Sequence, residues 1–488
     1  MQTVPLLRRL VSHRFELILV LLGLVLTLLA LLPIDPQGPF NARTYERLPD
    51  ARLYFTWTGA MLEPASSIGH ALLGAPVPKQ AAIASLAWVL AAALVWGWMR
   101  RTRNIPLRIL GAGGAALTAV LAFLAYAGLY FILPFPSWHL ETRDGDAYVA
   151  DLQTHTHYSH DSVISPRHNL RVQGGRGIEI TAVTEHKDPT GSFRTKALSR
   201  SVPEAPLVVP GVELSTPEGY VLGLGLDPDM QVPDKLHSQR EVAHFVRSVH
   251  REHNGAVIAL GFKLDRDGVA RMVQAGVDGF EIVNMGHPDI PFEVRRFIKQ
   301  QAGEHNLSLV GSSDWHGWTG MWRTWTLVRV SERDHGSIQD NLLAALRDPR
   351  EGEIVPAVAG YLGPTSSWRV AFAPFVEAAR YALELSPKRV LAWWVWIVAA
   401  ILVARLVRFA GLAPARIVGR TSLVVIGGLL LWKTVPLALA PATAAADPTF
   451  HLEIGRYGVA LGGIALLLGA GPLLLREARL WRKGRLPE

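Results

Sequence analysis

The sequence predicts an α/β domain, closed or nearly closed into a β/α barrel, inserted between two groups of three membrane-spanning helices. Three observations lead to this fold class. Long apolar segments form two blocks near the ends of the 488-residue chain. Between them, short β-rich runs alternate with amphipathic helical stretches, which is typical of parallel α/β folds. Polar side chains cluster where several of these runs end, and β/α barrels keep their chemistry at that face.

The apolar segments fit the thickness of a membrane. A bilayer core of about 30 Å requires roughly 20 mostly apolar residues in a spanning helix. The six candidates are Phe15–Ile34, Ala81–Trp98, Leu107–Leu133, Val390–Ala404, Ser422–Leu439 and Tyr457–Leu475. Any one of them alone could be a buried core helix, but six that are flanked by charge favour membrane insertion. The first is not followed by the small-residue cleavage site of a signal peptide.

Basic residues in the short loops predict the orientation, because Lys and Arg accumulate on the cytoplasmic side. If all six segments cross, one side receives Arg8, Arg9, Arg14, Arg100, Arg101, Arg103, Arg405, Arg408, Arg416, Arg420, Arg476, Arg479, Arg482, Lys483 and Arg485. The opposite loop Thr443–Arg456 carries one Arg and two acidic residues. We therefore expect cytoplasmic termini in an inner or plasma membrane, with the polar domain periplasmic or extracellular. The net charge of +8 then reflects topology, and no nucleic-acid partner is expected.

Four regions follow from this reading. Residues 1–137 hold three spans and an outside loop at about 35–80, and 138–359 form the polar domain. Residues 360–388 form a linker, and 389–488 hold three further spans and a basic tail. The chain has no cysteine, which excludes disulfides, thiolate catalysis and Cys-ligated zinc.

Within the polar domain, β propensity and helical periodicity define the elements. Strands are predicted at Ala147–His155, Ile178–His186, Leu207–Glu213, Tyr220–Leu226, Ala256–Phe262, Gly279–Asn284, Leu307–Ser313 and Thr324–Val330. The clearest helices are Arg240–His253, Asp267–Ala275, Phe292–His305 and Ser337–Arg347. Alternation of this kind predicts parallel strands joined by helices.

The stretch "DLQTHTHYSHDS", at Asp151–Ser162, begins the polar domain and contains three histidines. If its first residues are extended, Gln153, His155 and His157 face the same side. Paired imidazoles and carboxylates are suitable ligands for Zn, Mn or Fe. A histidine pair alone is weak evidence, but "VTEHKD", "PGVELST" and "GSSDWHG" also lie at predicted strand ends. The sequence therefore predicts a metal site at this face of the domain.

With these motifs the chain resembles the PHP (polymerase and histidinol phosphatase) family over roughly Asp146–Arg350. The resemblance implies a distorted seven-stranded β/α barrel that holds up to three metal ions and hydrolyses phosphoesters. The residues that match its motifs are His155 in "DLQTHT", His186 in "TEH", Glu213 in "GVE", and Asp314 and His316 in "SSDWH". Asp161 stands where the family has an early acidic or histidine ligand.

Three positions depart from the family pattern, since Gln153, Tyr220 and Leu260 replace expected histidines. One metal position implied by the resemblance keeps His155, Glu213 and Asp314, with Gln153 as a neutral and weaker donor. A second position loses both of its distinctive histidines and is expected to be empty. A third, formed by Asp161, His186 and His316, is intact. The expected cofactor is therefore one or two divalent ions, Zn or Mn, with one good site and one impaired site.

Other residues near this motif have more than one interpretation. His157 and His160 could act as additional ligands, as general acids toward a leaving group, or as solvated loop residues. Glu185 could orient His186 or a water molecule.

The cations and tryptophans near the predicted mouth of the barrel also have two interpretations each. The cations Lys187, Lys263, Arg266 and Arg323 could bind phosphate or be solvated charges at the rim. The tryptophans Trp315, Trp318, Trp322 and Trp325 could stack on a substrate or pack the domain against the membrane.

Two functions follow from these observations. The first is a membrane-anchored metal-dependent phosphoesterase that hydrolyses a phosphate mono- or diester of a small molecule, lipid or glycan on the outer face. The second is a partly degenerate barrel that serves as a non-catalytic ligand-binding or sensor module. Tyr220 and Leu260 favour the second function. The retained ligand-type residues favour the first, because burying unpaired carboxylates and imidazoles is costly.

Overall fold

The computed structural model describes residues 14–32, 38–73, 78–99, 104–133, 137–143, 145–287, 290–317, 322–330, 336–360, 366–409, 414–439 and 448–482. Ile34, Trp318, and the predicted topology residues Arg8, Arg9, Arg100, Arg101, Arg103, Lys483 and Arg485 lie outside them. Within this part of the chain, the predicted α/β class is confirmed: a curled sheet with flanking helices lies between apolar helices.

The helices of the N-terminal half are α1 Arg14–Ala30, α2 Trp57–Leu73, α3 Pro78–Trp98, α4 Ile105–Ile132, α5 Pro166–Gly175 and α6 Thr190–Ser199. Those that follow are α7 Gln239–His253, α8 Arg266–Ala275, α9 Phe292–His305, α10 Ile338–Arg347, α11 Ser367–Ala371, α12 Ala373–Leu383, α13 Pro387–Phe409, α14 Pro414–Leu439 and α15 Pro448–Arg482. A 3₁₀ turn covers Gly261–Lys263.

The strands are β1 Phe40–Asn41, β2 Ala51–Tyr54, β3 His139–Thr142, β4 Ala147–Thr154, β5 Ile180–His186, β6 Leu207–Ser215, β7 Tyr220–Leu224, β8 Ala256–Leu260, β9 Gly279–Asn284, β10 Ser308–Ser312, β11 Thr324–Arg329 and β12 Ile354–Val358. Ten of them form one sheet in the order β1-β12-β11-β4-β5-β6-β7-β8-β9-β10, while β2 and β3 form a separate pair.

The direction of β7 corrects the prediction of a parallel arrangement, and the main sheet has ten strands where the resemblance implies a barrel of seven. β4–β5–β6 and β8–β9–β10 are parallel, but β7 is antiparallel to both of its neighbours. Only residues 216–219 join β6 to β7, and Thr216 N–H donates to the Gly219 carbonyl at 2.7 Å. A connection this short forms a hairpin, since a parallel crossover needs a dozen or more residues. β1, β11 and β12 extend the sheet beyond β4 by antiparallel pairing.

The sheet curls so that its last strand returns to β4. Just after β10, Asp314 N–H donates to the Gln153 carbonyl at 3.0 Å. His155 N–H then donates to the Trp315 carbonyl, also at 3.0 Å. These bonds join the end of β10 to the end of β4, so polar residues distant in the sequence meet at one end of the sheet.

Two apolar clusters support this curled sheet. One joins strand residues such as Leu152 and Ile258 to Leu342 and Leu346 of α10. The other joins β6, β8 and β9 to α7, α8 and α9 through residues such as Val249. These side chains are buried, which accounts for the β-rich and amphipathic patterns in the sequence.

Within the described residues, five helices are long and apolar enough to cross a membrane: Gln80–Trp98, Ile105–Ile132, Pro387–Arg408, Gly419–Leu439 and Glu453–Gly471. They match five of the six predicted spans. The helix at the first predicted position is apolar but shorter, with its apolar stretch at Phe15–Ala30. Large apolar side chains such as Trp96, Leu406 and Leu467 are exposed on these helices, as expected for lipid-facing surfaces.

A buried ion pair joins α2, in the predicted outside loop, to the C-terminal helices. Arg389, at the start of α13, contacts Glu63 of α2 at 2.5 Å, and both side chains are inaccessible to solvent. Tyr381 O–H donates to the same carboxylate at 3.0 Å. The guanidinium also lies over the rings of Phe55 and Trp138, at 4.8 and 4.7 Å from their centroids. This contact fixes α2, the linker and α13 relative to one another.

Candidate metal centre

All seven predicted metal residues come together in one cluster. β4, β5, β6 and the segment after β10 position Gln153, His155, Asp161, His186, Glu213, Asp314 and His316. A register irregularity between Asp151 and Thr154 lies in the β4–β5 pairing beside the cluster. Such irregularities bend a strand and re-aim its side chains. The three imidazole rings lie within 5.6 Å of one another by centroid.

Asp161, His186 and His316 form a triangle of ligand atoms. Asp161 Oδ1 lies 3.2 Å from His186 Nε2 and 3.3 Å from His316 Nε2. The two imidazole nitrogens are 3.4 Å apart. Ligand bonds of roughly 2.0–2.1 Å in a tetrahedral zinc site place neighbouring ligand atoms about 3.3–3.4 Å apart. The triangle therefore fits three ligands of one divalent ion, with a fourth position for water or substrate.

The shifted pKa values of Asp161 and His316 indicate that this triangle favours a positive charge between its three side chains. Burial by itself would raise the pKa of Asp161, but the imidazoles of His186 and His316 outweigh burial and hold that pKa well below its usual range. Burial would lower the pKa of His316, yet Asp161 and Asp314 raise it above the ordinary histidine value. Without a metal, protons take the place of the positive charge that the carboxylates require.

His155 lies against the two buried carboxylates of the cluster. Its Nε2 is 3.1 Å from Asp314 Oδ1 and 3.4 Å from Glu213 Oε2. Neither contact has hydrogen-bond geometry, so this buried nitrogen has no hydrogen-bond partner among the described residues. Burial lowers the pKa of His155, but the same two carboxylates outweigh burial and raise it well above its ordinary value.

Gln153 meets the same carboxylates, but as a hydrogen-bond donor rather than as the weak metal ligand that the sequence predicts. Its Nε2 donates to Glu213 Oε2 at 2.7 Å and to Asp314 Oδ1 at 3.0 Å. The amide oxygen points the other way, toward Asn284. A coordinating glutamine would turn its oxygen toward the ion.

Glu185 acts behind the ligands and does not face the opening. It is fully buried and accepts hydrogen bonds from Thr156 and Ser159. Ser159 Oγ also accepts from the backbone N–H of His186 at 3.0 Å and lies 3.2 Å from His155 Nδ1. Glu185 thus orients two ligand positions through one serine. Groups that orient a metal ligand in this way fix its tautomer and its direction.

The turn after β10 is strained in a way that serves the cluster. Asp314 has a positive φ of 52°, which is uncommon outside glycine. Buried Asp151 holds the preceding residue, because it accepts from the Ser313 N–H at 2.9 Å and from its hydroxyl at 2.5 Å. Burial raises the pKa of Asp151 to about 6, although these hydrogen bonds oppose the rise. The turn directs Asp314 and His316 into one site.

Two buried residues beneath the cluster have no role in the sequence analysis. Asn284 is the polar last residue of β9, and Glu281 is a fully buried carboxylate in the same strand. Asn284 Nδ2 donates to Glu281 Oε2 at 2.7 Å, and the Ser312 hydroxyl also donates to Glu281. The sequence feature that could have identified Glu281 is an acidic residue in the middle of the apolar run "GFEIV". Burial and the Asp314 charge raise the pKa of Glu281 well above its ordinary value.

The two additional histidines of the opening motif lie toward the rim. His160 is exposed, with Nδ1 4.0 Å from Asp161 Oδ1 and its ring 5.2 Å from that of His186. His157 is half-buried and its ring packs against Tyr158 at 4.9 Å.

The four predicted phosphate-binding cations have different surroundings. Lys187 is exposed directly after His186 and has a positive φ of 66°. Lys263 donates to the Tyr220 hydroxyl at 2.8 Å, and the Arg266 guanidinium lies 4.6 Å from the centre of the Phe297 ring. Burial and Arg380 of α12 lower the pKa of Arg323, which has Glu377, Glu384 and Tyr130 as its other charged or phenolic neighbours. Arg323 therefore faces the linker helix.

The tryptophans pack rather than face solvent. Trp315, Trp322 and Trp325 are buried in one apolar cluster with Phe55 and Trp138. Of the two interpretations of these residues, this arrangement matches packing within the domain and against Phe55 and Ala60 beside it.

Metal binding is expected to weaken as the pH falls. The raised pKa of His316 means that a metal bound at Asp161, His186 and His316 displaces a proton from that imidazole. Below that pKa, the displaced proton should lower the apparent affinity about tenfold per pH unit. Calorimetric titration with Zn²⁺ or Mn²⁺ from pH 8 to pH 6, in buffers of different ionisation enthalpy, measures both the slope and the protons released. A pH-independent affinity without proton release would contradict this expectation.

No family model matches the chain. Among solved structures, it is similar to a protein of Bifidobacterium adolescentis assigned as a metal-dependent phosphoesterase, with 17% identity, a TM-score of 0.29, and coverage of 35% of this chain and 88% of that one. An amidohydrolase from Chromobacterium violaceum gives 17% identity and a TM-score of 0.26, over 34% of this chain and 87% of that one. PsfC from Pseudomonas syringae has 15% identity and a TM-score of 0.32, with coverage of 49% of this chain and 99% of that one. Similarity at this level does not bear on the reaction.

A stronger similarity exists among curated proteins. Over 160 residues, the chain is 32% identical to the uncharacterized protein MJ1587 of Methanocaldococcus jannaschii. The aligned region covers 29% of this chain and 84% of that protein. The chain belongs to the same family as MJ1587.

Proposed function

We propose that the protein is a membrane-anchored metal-dependent phosphoesterase with a PHP-like core of seven strands, β4 to β10. The triangle of Asp161, His186 and His316 carries this proposal. Their side chains are 35%, 15% and 14% exposed, whereas Gln153, His155, Glu213 and Asp314 are buried. Three ligands with an accessible fourth position are typical of catalytic rather than structural metal sites.

The residues around the triangle have separate roles in this reaction. Asp161, His186 and His316 hold the ion, which supplies Lewis acidity toward a phosphoryl oxygen when bound. Lys187 lies beside His186 and offers its ammonium to the substrate phosphate. His160, at the exposed rim, protonates the leaving oxygen. Glu185 keeps the ligand side chains aligned through Ser159.

The proposed orientation places the domain outside the membrane, periplasmic or extracellular, with six spans and cytoplasmic termini. The five apolar helices and the shorter apolar helix α1 support this arrangement. The distribution of Lys and Arg in the sequence supports the direction.

The contacts behind the cluster favour a substrate that is attached to a lipid. Trp315, between Asp314 and His316, belongs to the apolar cluster that contains Phe55 and Trp138. Both of those rings contact the Arg389 guanidinium at the start of α13. The metal cluster is thereby connected to the membrane helices through one layer of aromatic side chains. A phosphate ester held at the membrane surface by an acyl or prenyl chain fits this position.

The test uses the full chain in lipid nanodiscs, loaded with Mn²⁺ or Zn²⁺. Turnover is measured on p-nitrophenyl phosphate, on bis(p-nitrophenyl) phosphate and on a lipid phosphate incorporated in the disc. We expect hydrolysis that chelation abolishes and metal restores, with the lipid phosphate preferred. Hydrolysis of soluble esters alone would remove the lipid assignment. Stoichiometric metal without turnover on any ester would favour the non-catalytic binding module.

A further inference from the structure

Gln153 occupies the centre of the buried carboxylate pair. Its amide nitrogen lies 2.7 Å from Glu213 Oε2 and 3.0 Å from Asp314 Oδ1. Gln153 itself is inaccessible to solvent, and the two carboxylates are almost so. One NH₂ group thus supplies a hydrogen to each carboxylate. A pair of buried carboxylates needs either such donors or a cation, because burying unpaired charge is costly.

Its neighbours fix the direction of the Gln153 amide. The backbone N–H of His287 donates to Asn284 Oδ1 at 2.8 Å, so the Asn284 NH₂ points to the opposite side. That NH₂ lies 2.7 Å from Glu281 Oε2 and 3.4 Å from Gln153 Oε1. A reversed Gln153 would place its oxygen against two carboxylate oxygens and its NH₂ against another NH₂. Each of these contacts would leave a buried polar group unsatisfied.

We propose that the Gln153 amide takes the place of a metal ion between Glu213 and Asp314, so that the protein holds one ion, at Asp161, His186 and His316. Gln153 is then a neutral donor that satisfies the hydrogen-bonding capacity of the carboxylate pair, and Asn284 is the residue that orients it. This assignment rests on the proposed metal-dependent function only for the ion at Asp161. The carboxylate pair is a separate part of the cluster, and its metal content can be changed independently.

Histidine at position 153 provides the test. An imidazole there would bring a fourth ligand to His155, Glu213 and Asp314, in place of a hydrogen-bond donor. The full chain is purified, stripped with a chelator, equilibrated with excess Mn²⁺ and desalted. Metal per chain is measured by mass spectrometry, and spin coupling between neighbouring Mn²⁺ ions is measured by electron paramagnetic resonance. We expect one uncoupled ion in the wild type and two coupled ions in Gln153→His.

The matched control is Gln173→His. Gln173 is also a buried glutamine that donates to a buried aspartate, Asp151, at 3.1 Å, but it lies outside the ligand cluster. It should gain no ion. If Gln153→His does not fold, Gln153→Ser is compared in its place, since it removes the amide and leaves His155, Glu213 and Asp314 free to bind.

The outcomes separate this proposal from the proposed function. Two ions in the wild type, or no additional ion in a folded position-153 variant, would overturn the role of Gln153. No ion in the wild type with one in Gln153→His would support the role of Gln153 and remove the site at Asp161, and with it the basis of the proposed function.

Discussion

Replacing His186 with alanine is expected to lower the affinity for Zn²⁺ or Mn²⁺ by more than about 100-fold, because loss of a group that merely orients a ligand already costs about 10–100-fold. His186 Nε2 is one corner of the triangle, 3.2 Å from Asp161 Oδ1 and 3.4 Å from His316 Nε2. Removing it leaves two ligands, too few to fix an ion. Competitive titration against a chromophoric chelator measures the affinity, and turnover of the best ester from the activity screen should fall in parallel.

The control for this experiment is His237→Ala. His237 is exposed in the loop before α7 and lies outside the cluster. Its replacement should leave metal affinity and thermal stability unchanged. A His186→Ala protein that is folded and binds metal as tightly as the wild type would show that the triangle is not a metal site. If the melting temperature of His186→Ala is unchanged, its loss of metal affinity is not caused by general unfolding.

Replacing Glu63 with alanine is expected to destabilise the protein by about 3–5 kcal/mol, the usual cost of leaving one partner of a buried ion pair uncompensated. Arg389 contacts Glu63 at 2.5 Å, and its other amino group donates to the Glu384 carbonyl at 2.6 Å. Without the Glu63 carboxylate, the guanidinium keeps its carbonyl and aromatic contacts but loses its directly bonded counter-charge. Unfolding of the full chain in mixed detergent micelles with increasing denaturing detergent measures the loss.

Two further variants make this prediction specific. Glu63→Met combined with Arg389→Met removes both charges and should recover most of the lost stability. Glu141→Ala breaks the exposed Arg52–Glu141 pair, which has the same 2.5 Å separation with side chains 59% and 44% exposed. Its effect should be much smaller than that of Glu63→Ala, since solvent screens such pairs. Equal effects of Glu63→Ala and Glu141→Ala would mean that the Arg389 contact does not hold α2 to α13.

Local sequence patterns were sufficient to predict the helices, the strands and the residue types of the candidate metal ligands. The β-rich run that includes Ile180–His186 and the amphipathic run Gln239–His253 have periodicities that depend on nearby residues alone. The chemistry of His186, Glu213 and His316 was evident from residue type and from position at a strand end. The direction of β7 was also contained in the sequence, because "TPEG" is too short to connect parallel strands.

The remaining features depend on contacts between distant parts of the chain. Whether Gln153 coordinates or donates is decided by Asn284, 131 residues away, and by Glu281 beneath it. Arg323 resembles Lys187 in charge, but burial and the neighbouring Arg380 place it beside the linker helix. Neither relationship leaves a local pattern, because amide orientation and burial are properties of the packed structure.

The sequence by itself therefore determined an α/β domain between apolar helices, with histidines and carboxylates gathered at strand ends. It did so because hydrophobic periodicity and strand-end polarity are local properties of the chain. Tertiary structure alone decided how those ligands divide between a partly exposed triangle and a buried carboxylate pair held by an amide. That division depends on distances of 2.7–3.4 Å between side chains that only the curled sheet brings together.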